Sequence, residues 1–195
     1  MSDSRELSFD FCYGYFLKTR ASGEKRRSCL ELGYYLASWG MLRGSSALLD
    51  KNIKYFERVI NIIRTENMWG IDVCDCTDQD LDYILLVGKK LKTALSDISV
   101  TDTLLTKIML GVWGCVPAYD RFVKAGYKKL TGQPLGEFNK ASLKKIQEFY
   151  QKNKERIDSQ VLQSGIVDYD SGQKQNLKYP KAKIIDVLLF EKGKI

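Results

Sequence analysis

The chain has 195 residues, 44% hydrophobic and 28% charged, with 15 glycines and only three prolines. That balance excludes a collagen-like or proline-rich fibre and argues against a disordered chain, and the length makes one domain the default. There are no histidines, which excludes histidine metal ligands, Ser-His and Cys-His nucleophile pairs and a histidine pH switch.

In chain order, apolar residues recur at helical spacing nearly throughout. Phe9, Cys12, Tyr13, Phe16 and Leu17 follow Ser8, which suits an N-cap; residues 20–23 break the pattern. A second, largely buried helix is predicted from Lys25 to Leu42. Its stripe of Gly33, Ala37, Gly40 and Gly44 predicts the close approach of another helix, because interior glycine otherwise costs stability. A third helix, capped by Asp50 or Asn52, turns Ile53, Phe56, Ile60 and Ile63 inward and ends near Thr65; residues 66–75 read as loop.

Thr77 caps a fourth helix whose first turns carry Asp78, Asp80 and Asp82, where negative charge suits the helix dipole. A fifth opens at Thr101 or Asp102 and stops near Gly111. Pro117 fits the first position of a sixth, ending at Gly126. Gly132, Pro134 and Gly136 mark a loop. A long seventh helix runs from near Asn139 through Val161, with Gly165 beyond its end. Tyr179-Pro180 opens the last, closed by Gly193. The expected fold is therefore all-α, a single compact domain of seven or eight helices over residues 1–195, with 126–139 as its one candidate internal boundary.

The five cysteines are odd in number and follow no apolar leader, and no apolar run approaches the roughly 20 residues of a membrane span. The expectation is a cytoplasmic protein with reduced thiols and no membrane partner. Cys74-x-Cys76 supplies only two ligands of a tetrahedral site, so no metal and no cofactor is expected. Asp78-x-Asp80-x-Asp82 begins like an EF-hand loop, but Tyr83 stands where glycine is needed and Lys89 where the last ligand is, which leaves helix capping as its reading.

The net charge of +7 is uneven: +3 over residues 1–60, −4 over 61–120 and +8 over 121–195. A basic third beside an acidic middle implies either internal complementarity or a surface facing a polyanion. Lys140, Lys144 and Lys145 lie together near the start of the seventh helix. Arg43-Gly44-Ser45-Ser46 could hold an anion through backbone N–H groups, Ser45 and Ser46 hydroxyls and the Arg43 guanidinium; a plain interhelical turn is the alternative. Lys25, Arg26 and Arg27 lie roughly 25 Å away along the same helix and cannot share one phosphate with it.

The segment Leu110-Gly111-Val112-Trp113-Gly114-Cys115-Val116-Pro117-Ala118 joins two helices. It resembles the hairpin of helix-hairpin-helix DNA-binding proteins over about nine residues, with Leu110, Gly114 and Ala118 at that pattern's apolar, second-glycine and alanine positions. Val112 replaces the first glycine, and Trp113 is bulky for a backbone that meets phosphate. The resemblance implies phosphate contact through Gly111 and Gly114. Some members are glycosylases with a catalytic aspartate downstream, but Asp120 follows too closely to take over that role; a tight turn between helices is the alternative reading of the segment.

The function expected is binding: DNA, RNA or another polyanion, contacted through Arg43, Ser45, Ser46, Lys107, Gly111, Gly114, Lys140, Lys144 and Lys145. The alternatives are a protein-interaction subunit, or a histidine-free enzyme built on Lys107, Asp120 and Arg121.

Overall fold

Among the described residues the apolar spacing is realised as nine α-helices: α1 (Leu7–Thr19), α2 (Lys25–Ser38), α3 (Glu57–Thr65), α4 (Asp78–Ala94), α5 (Asp102–Trp113), α6 (Arg121–Thr131), α7 (Lys140–Lys152), α8 (Lys154–Gln163) and α9 (Lys181–Lys194). The structure, a computed structural model, describes residues 4–44 and 46–194, the side chain of Ala21 excepted. Among the described residues there is no strand, only an isolated antiparallel bridge between Val167 and Lys174. No helix there is long and apolar enough to cross a membrane.

Helix starts follow capping chemistry. Thr77 accepts a hydrogen bond from the Asp80 N–H while Asp80 accepts one from Thr77 N–H, a reciprocal box that starts α4. Thr101 caps α5 through Leu104 N–H. Asn139 and Ser142 form the corresponding box at α7. Each cap of this kind contributes about 1 kcal/mol.

Helix ends depart from the sequence reading in instructive places. Ser8 lies inside α1, its hydroxyl donating back to Arg5 C=O at 2.6 Å. α2 stops at Ser38; Gly40 and Gly44 then take φ of 78° and 63°, left-handed values that turn the chain rather than extend a helical stripe. Of that stripe, Gly33 does admit a close neighbour, but the neighbours are the Ile53 and Phe56 side chains, not a helix backbone. α5 runs two residues past Gly111 and ends at Gly114. Pro117 does not open α6; Asp120 does, accepting from Phe122 and Val123 N–H, both at 2.9 Å. α6 passes through Gly126 and stops at Gly132. The expected long seventh helix breaks at Asn153, whose amide donates to Phe149 C=O at 2.8 Å, and becomes α7 and α8.

α5 is the axis of the core, with every residue from Leu104 to Trp113 buried. α1, α2 and α4 pack against it. α6 and α9 pair backbone to backbone: a Cβ on Gly126 would overlap Leu189 C=O, and one on Gly193 would overlap Phe122 C=O. The 126–139 segment is fastened on both sides. Leu135 is buried, Phe138 N–H donates to Asp102 at 2.8 Å and the Phe138 ring meets Tyr119 edge-on. The helices form one compact domain. Asp72, at a distance in sequence, caps α9 by accepting from Ala182 N–H at 3.0 Å.

Candidate functional site

The basic residues proposed from sequence divide into groups with different fates. Lys140 binds Asp82 at 2.8 Å and Asp78 at 3.3 Å, and Lys144 binds Asp78 at 3.1 Å. Lys145 donates to Pro134 C=O at 2.7 Å. The basic face of α7 thus answers the acidic first turn of α4. Lys144, then Lys140, hold the Asp78 carboxyl below its ordinary range, and Asp82 holds the Lys140 ammonium above its own. Lys140 and Lys144 are therefore already paired with carboxylates, in exposed ion pairs at the surface, unlike the unpaired ammonium groups the sequence reading expected.

Several of the cations left without a carboxylate partner lie on α6. Its eleven residues contain no acid. Arg121, Lys124 and Lys128 fall at i, i+3 and i+7, one face of the helix. None of the three has an ion-pair partner among the described residues. The Arg121 guanidinium lies 4.5 Å from the Phe122 ring centre and the Lys124 ammonium 5.8 Å from that of Tyr119. The opposite side of α6 is clamped on α9 by the Gly126 and Gly193 contacts, which fixes the direction this face presents. Lys129 is exposed beside it. The signal was in the sequence: a helix with four bases and no acid.

Lys107 belongs to a different arrangement. Lys107, Asp120, Lys183 and Asp186 are all buried. Lys107 lies 3.5 Å from Asp120 and donates to Trp39 C=O at 3.1 Å; Lys183 lies 3.4 Å from Asp186. Asp186 also accepts from Ala118 N–H at 2.9 Å. The Lys183 ammonium sits over the Phe9 ring at 4.5 Å and over Trp39 at 5.4 Å, and Lys107 over Trp39 at 5.6 Å. Burial pushes the Lys107 amine down, opposed by Asp120 and Asp186. It pushes the Asp186 carboxyl up, opposed by Lys183 and the Ala118 N–H.

Two cations and two anions cancel, and each of the four has a backbone or ring contact besides its ion pair. The group ties together the end of α2, α5, the 114–120 segment, α6 and α9. A desolvated amine beside carboxylates is the kind of pairing used for proton transfer, yet these four are spent holding helix ends. Lys107 is thus an interior clamp, a correction to its reading as an anion-binding residue. Arg121 lies outside the cluster, exposed.

The turn that resembles a helix-hairpin-helix is also interior. Residues 111–120 are all buried. Gly111 is glycine because the Tyr35 ring lies against it; Gly114 has φ of 65° and packs on Pro180 and Tyr13. The Gly114 N–H donates to Leu110 C=O and the Ala118 N–H to Asp186. These amides face no solvent, so the implied phosphate contact through Gly111 and Gly114 is corrected to close packing.

At the remaining candidate, Arg43 is exposed with its guanidinium folded over Gly40. The Ser46 hydroxyl is already committed, donating to Met41 C=O and accepting from Leu48 N–H at 3.3 Å. Ser45 lies outside the described residues. Cys74 is buried, Cys76 half-buried, and no group of three or more Cys, Asp or Glu side chains among the described residues is placed to hold a metal. No family model, curated protein or solved structure matches this chain.

Proposed function

We propose that the protein is a binding protein whose outward face of α6 contacts the phosphate backbone of nucleic acid. The observation that carries this reading is the row of Arg121, Lys124 and Lys128 on one helix face without a carboxylate partner, while Lys140 and Lys144 of α7 are paired with Asp78 and Asp82 of α4. The row spans about 10 Å of helix, over which duplex DNA presents about six phosphate charges. Cations with no internal counter-charge release condensed counterions from such a surface without first breaking an ion pair. Because the contacts go to phosphate and not to base edges, the binding is indifferent to sequence.

The test is fluorescence anisotropy with labelled duplex and single-stranded oligonucleotides of mixed sequence at about 50 mM salt, where such contacts are strongest. The chain carrying Arg121→Gln, Lys124→Gln and Lys128→Gln is expected to lose affinity for all sequences alike. Absence of binding by the unmodified chain under these conditions would defeat the proposal.

A further inference from the structure

On another side of the molecule, α6, α8 and α9 leave a cleft between them. It has a volume of about 660 Å³, inside the range of roughly 300–1,000 Å³ that specific ligand sites occupy. Its apolar wall is Leu130, Ile184, Val187 and Leu188. Leu130 and Val187 are 43% and 42% exposed, large aliphatic side chains that the fold itself leaves uncovered.

The polar rim is cationic. Arg156, Gln160 and Lys192 line it, and their side chains have neither ion-pair nor hydrogen-bond partners among the described residues. The one carboxylate lining the cleft, Glu191, is taken by Lys194 at 2.7 Å. Arg121, Lys124 and Lys128 do not line it, so the cleft is independent of the nucleic-acid reading of α6.

We infer that this cleft binds an acidic, amphipathic peptide segment of a partner protein. Aliphatic side chains of the segment would lie on Leu130, Val187 and Leu188, and its carboxylates would meet Arg156 and Lys192. Three observations select that occupant. The wall is aliphatic and offers bases little flat surface to stack on, Tyr179 being its one ring. The rim holds two unpaired cations and no free carboxylate, which rejects basic segments by repulsion and attracts acidic ones. An open groove between helices is also the usual seat of a segment that inserts apolar anchors at helical spacing.

A displayed library of random dodecapeptides, selected on the full chain, tests this. Enriched sequences are expected to combine aliphatic residues with net negative charge. A synthesised winner, followed by anisotropy, should bind the Arg156→Glu, Lys192→Glu chain at least about tenfold more weakly and the Leu130→Ser, Val187→Ser chain several-fold more weakly. These four residues lie at the surface, and unchanged circular dichroism of each variant confirms that the fold is intact. The chain with Arg121→Gln, Lys124→Gln and Lys128→Gln should bind the peptide as the unmodified protein does, which separates this site from the α6 face. The inference is overturned if nothing is enriched, if enriched peptides lack acidic residues, or if both cleft variants bind the winner unchanged. It is equally overturned if oligothymidylate displaces the peptide and loses its own binding in the same cleft variants, since the cleft would then belong to nucleic acid.

Discussion

Asp186 and Asp78 are carboxylates of the same chain with opposite shifts, because one is desolvated and the other is surrounded by ammonium groups. At Asp186 the folded-state pKa lies above the ordinary 3.8, so the folded protein holds this proton more tightly than the unfolded chain. Its contribution to stability is complete below the unfolded value and is lost as pH rises through the folded one. Asp78 has the reverse sign, contributing above the unfolded value and losing its effect as pH falls. Asp186→Asn keeps an acceptor for Ala118 N–H and removes the titration. Urea denaturation from about pH 3.5 to 7 should show the unmodified chain losing stability relative to Asp186→Asn as pH rises; parallel profiles would contradict the assignment. Lys107 makes a complementary case. Lys107→Met strips Asp120 and the Trp39 carbonyl of their buried partner and should cost about 3 kcal/mol. Adding Asp120→Asn should recover part of that loss, since asparagine still caps α6 and no lone buried charge remains. A double variant as unstable as the sum of the two single ones would show that the pair is not coupled.

At the scale of elements, Gly126 decides how α6 meets α9. In an ordinary helix interior, alanine in place of glycine gains up to about 1 kcal/mol. Here its Cβ would overlap the Leu189 carbonyl, and backbone cannot turn aside as a side chain can. Gly126→Ala should therefore destabilise by about 3 kcal/mol, read as a lowered denaturation midpoint; a stabilised variant would mean that the two backbones do not touch. The helices and several of their caps were legible from periodicity and from Thr77, Thr101 and Asn139, because those signals are local. What was not legible is set by distant partners. The end of α5 beyond Gly111 depends on Tyr35 and on the left-handed Gly114. α9 is capped by Asp72, 110 positions away. Asn153 breaks one amphipathic stretch into two helices without disturbing its apolar spacing, so periodicity alone ran through it. The turn at 110–118 has the composition of a phosphate-binding hairpin, but exposure, which composition does not encode, is what such a site requires.

Over the whole molecule, the uneven charge is divided between paired and unpaired groups. Part of the basic C-terminal third neutralises the acidic start of α4, through Lys140 and Lys144 on Asp78 and Asp82. Another part, Arg121, Lys124 and Lys128, stands without a carboxylate partner on α6, and Arg156 and Lys192 do so at the cleft. The sequence raised both readings of the charge, internal complementarity and a polyanion-facing surface, but could not divide the lysines between them, since that division depends on which helix faces which. The most direct test is the slope of log affinity for duplex DNA against log salt, measured for two sets of substitutions. Removing Arg121, Lys124 and Lys128 as glutamines should reduce the slope by up to about 3, roughly one for each lost phosphate contact. Replacing Lys140 and Lys144 by glutamine should leave the slope unchanged, because those two ammonium groups are held by Asp78 and Asp82. A slope that falls with the α7 pair and is indifferent to the α6 row would contradict the account.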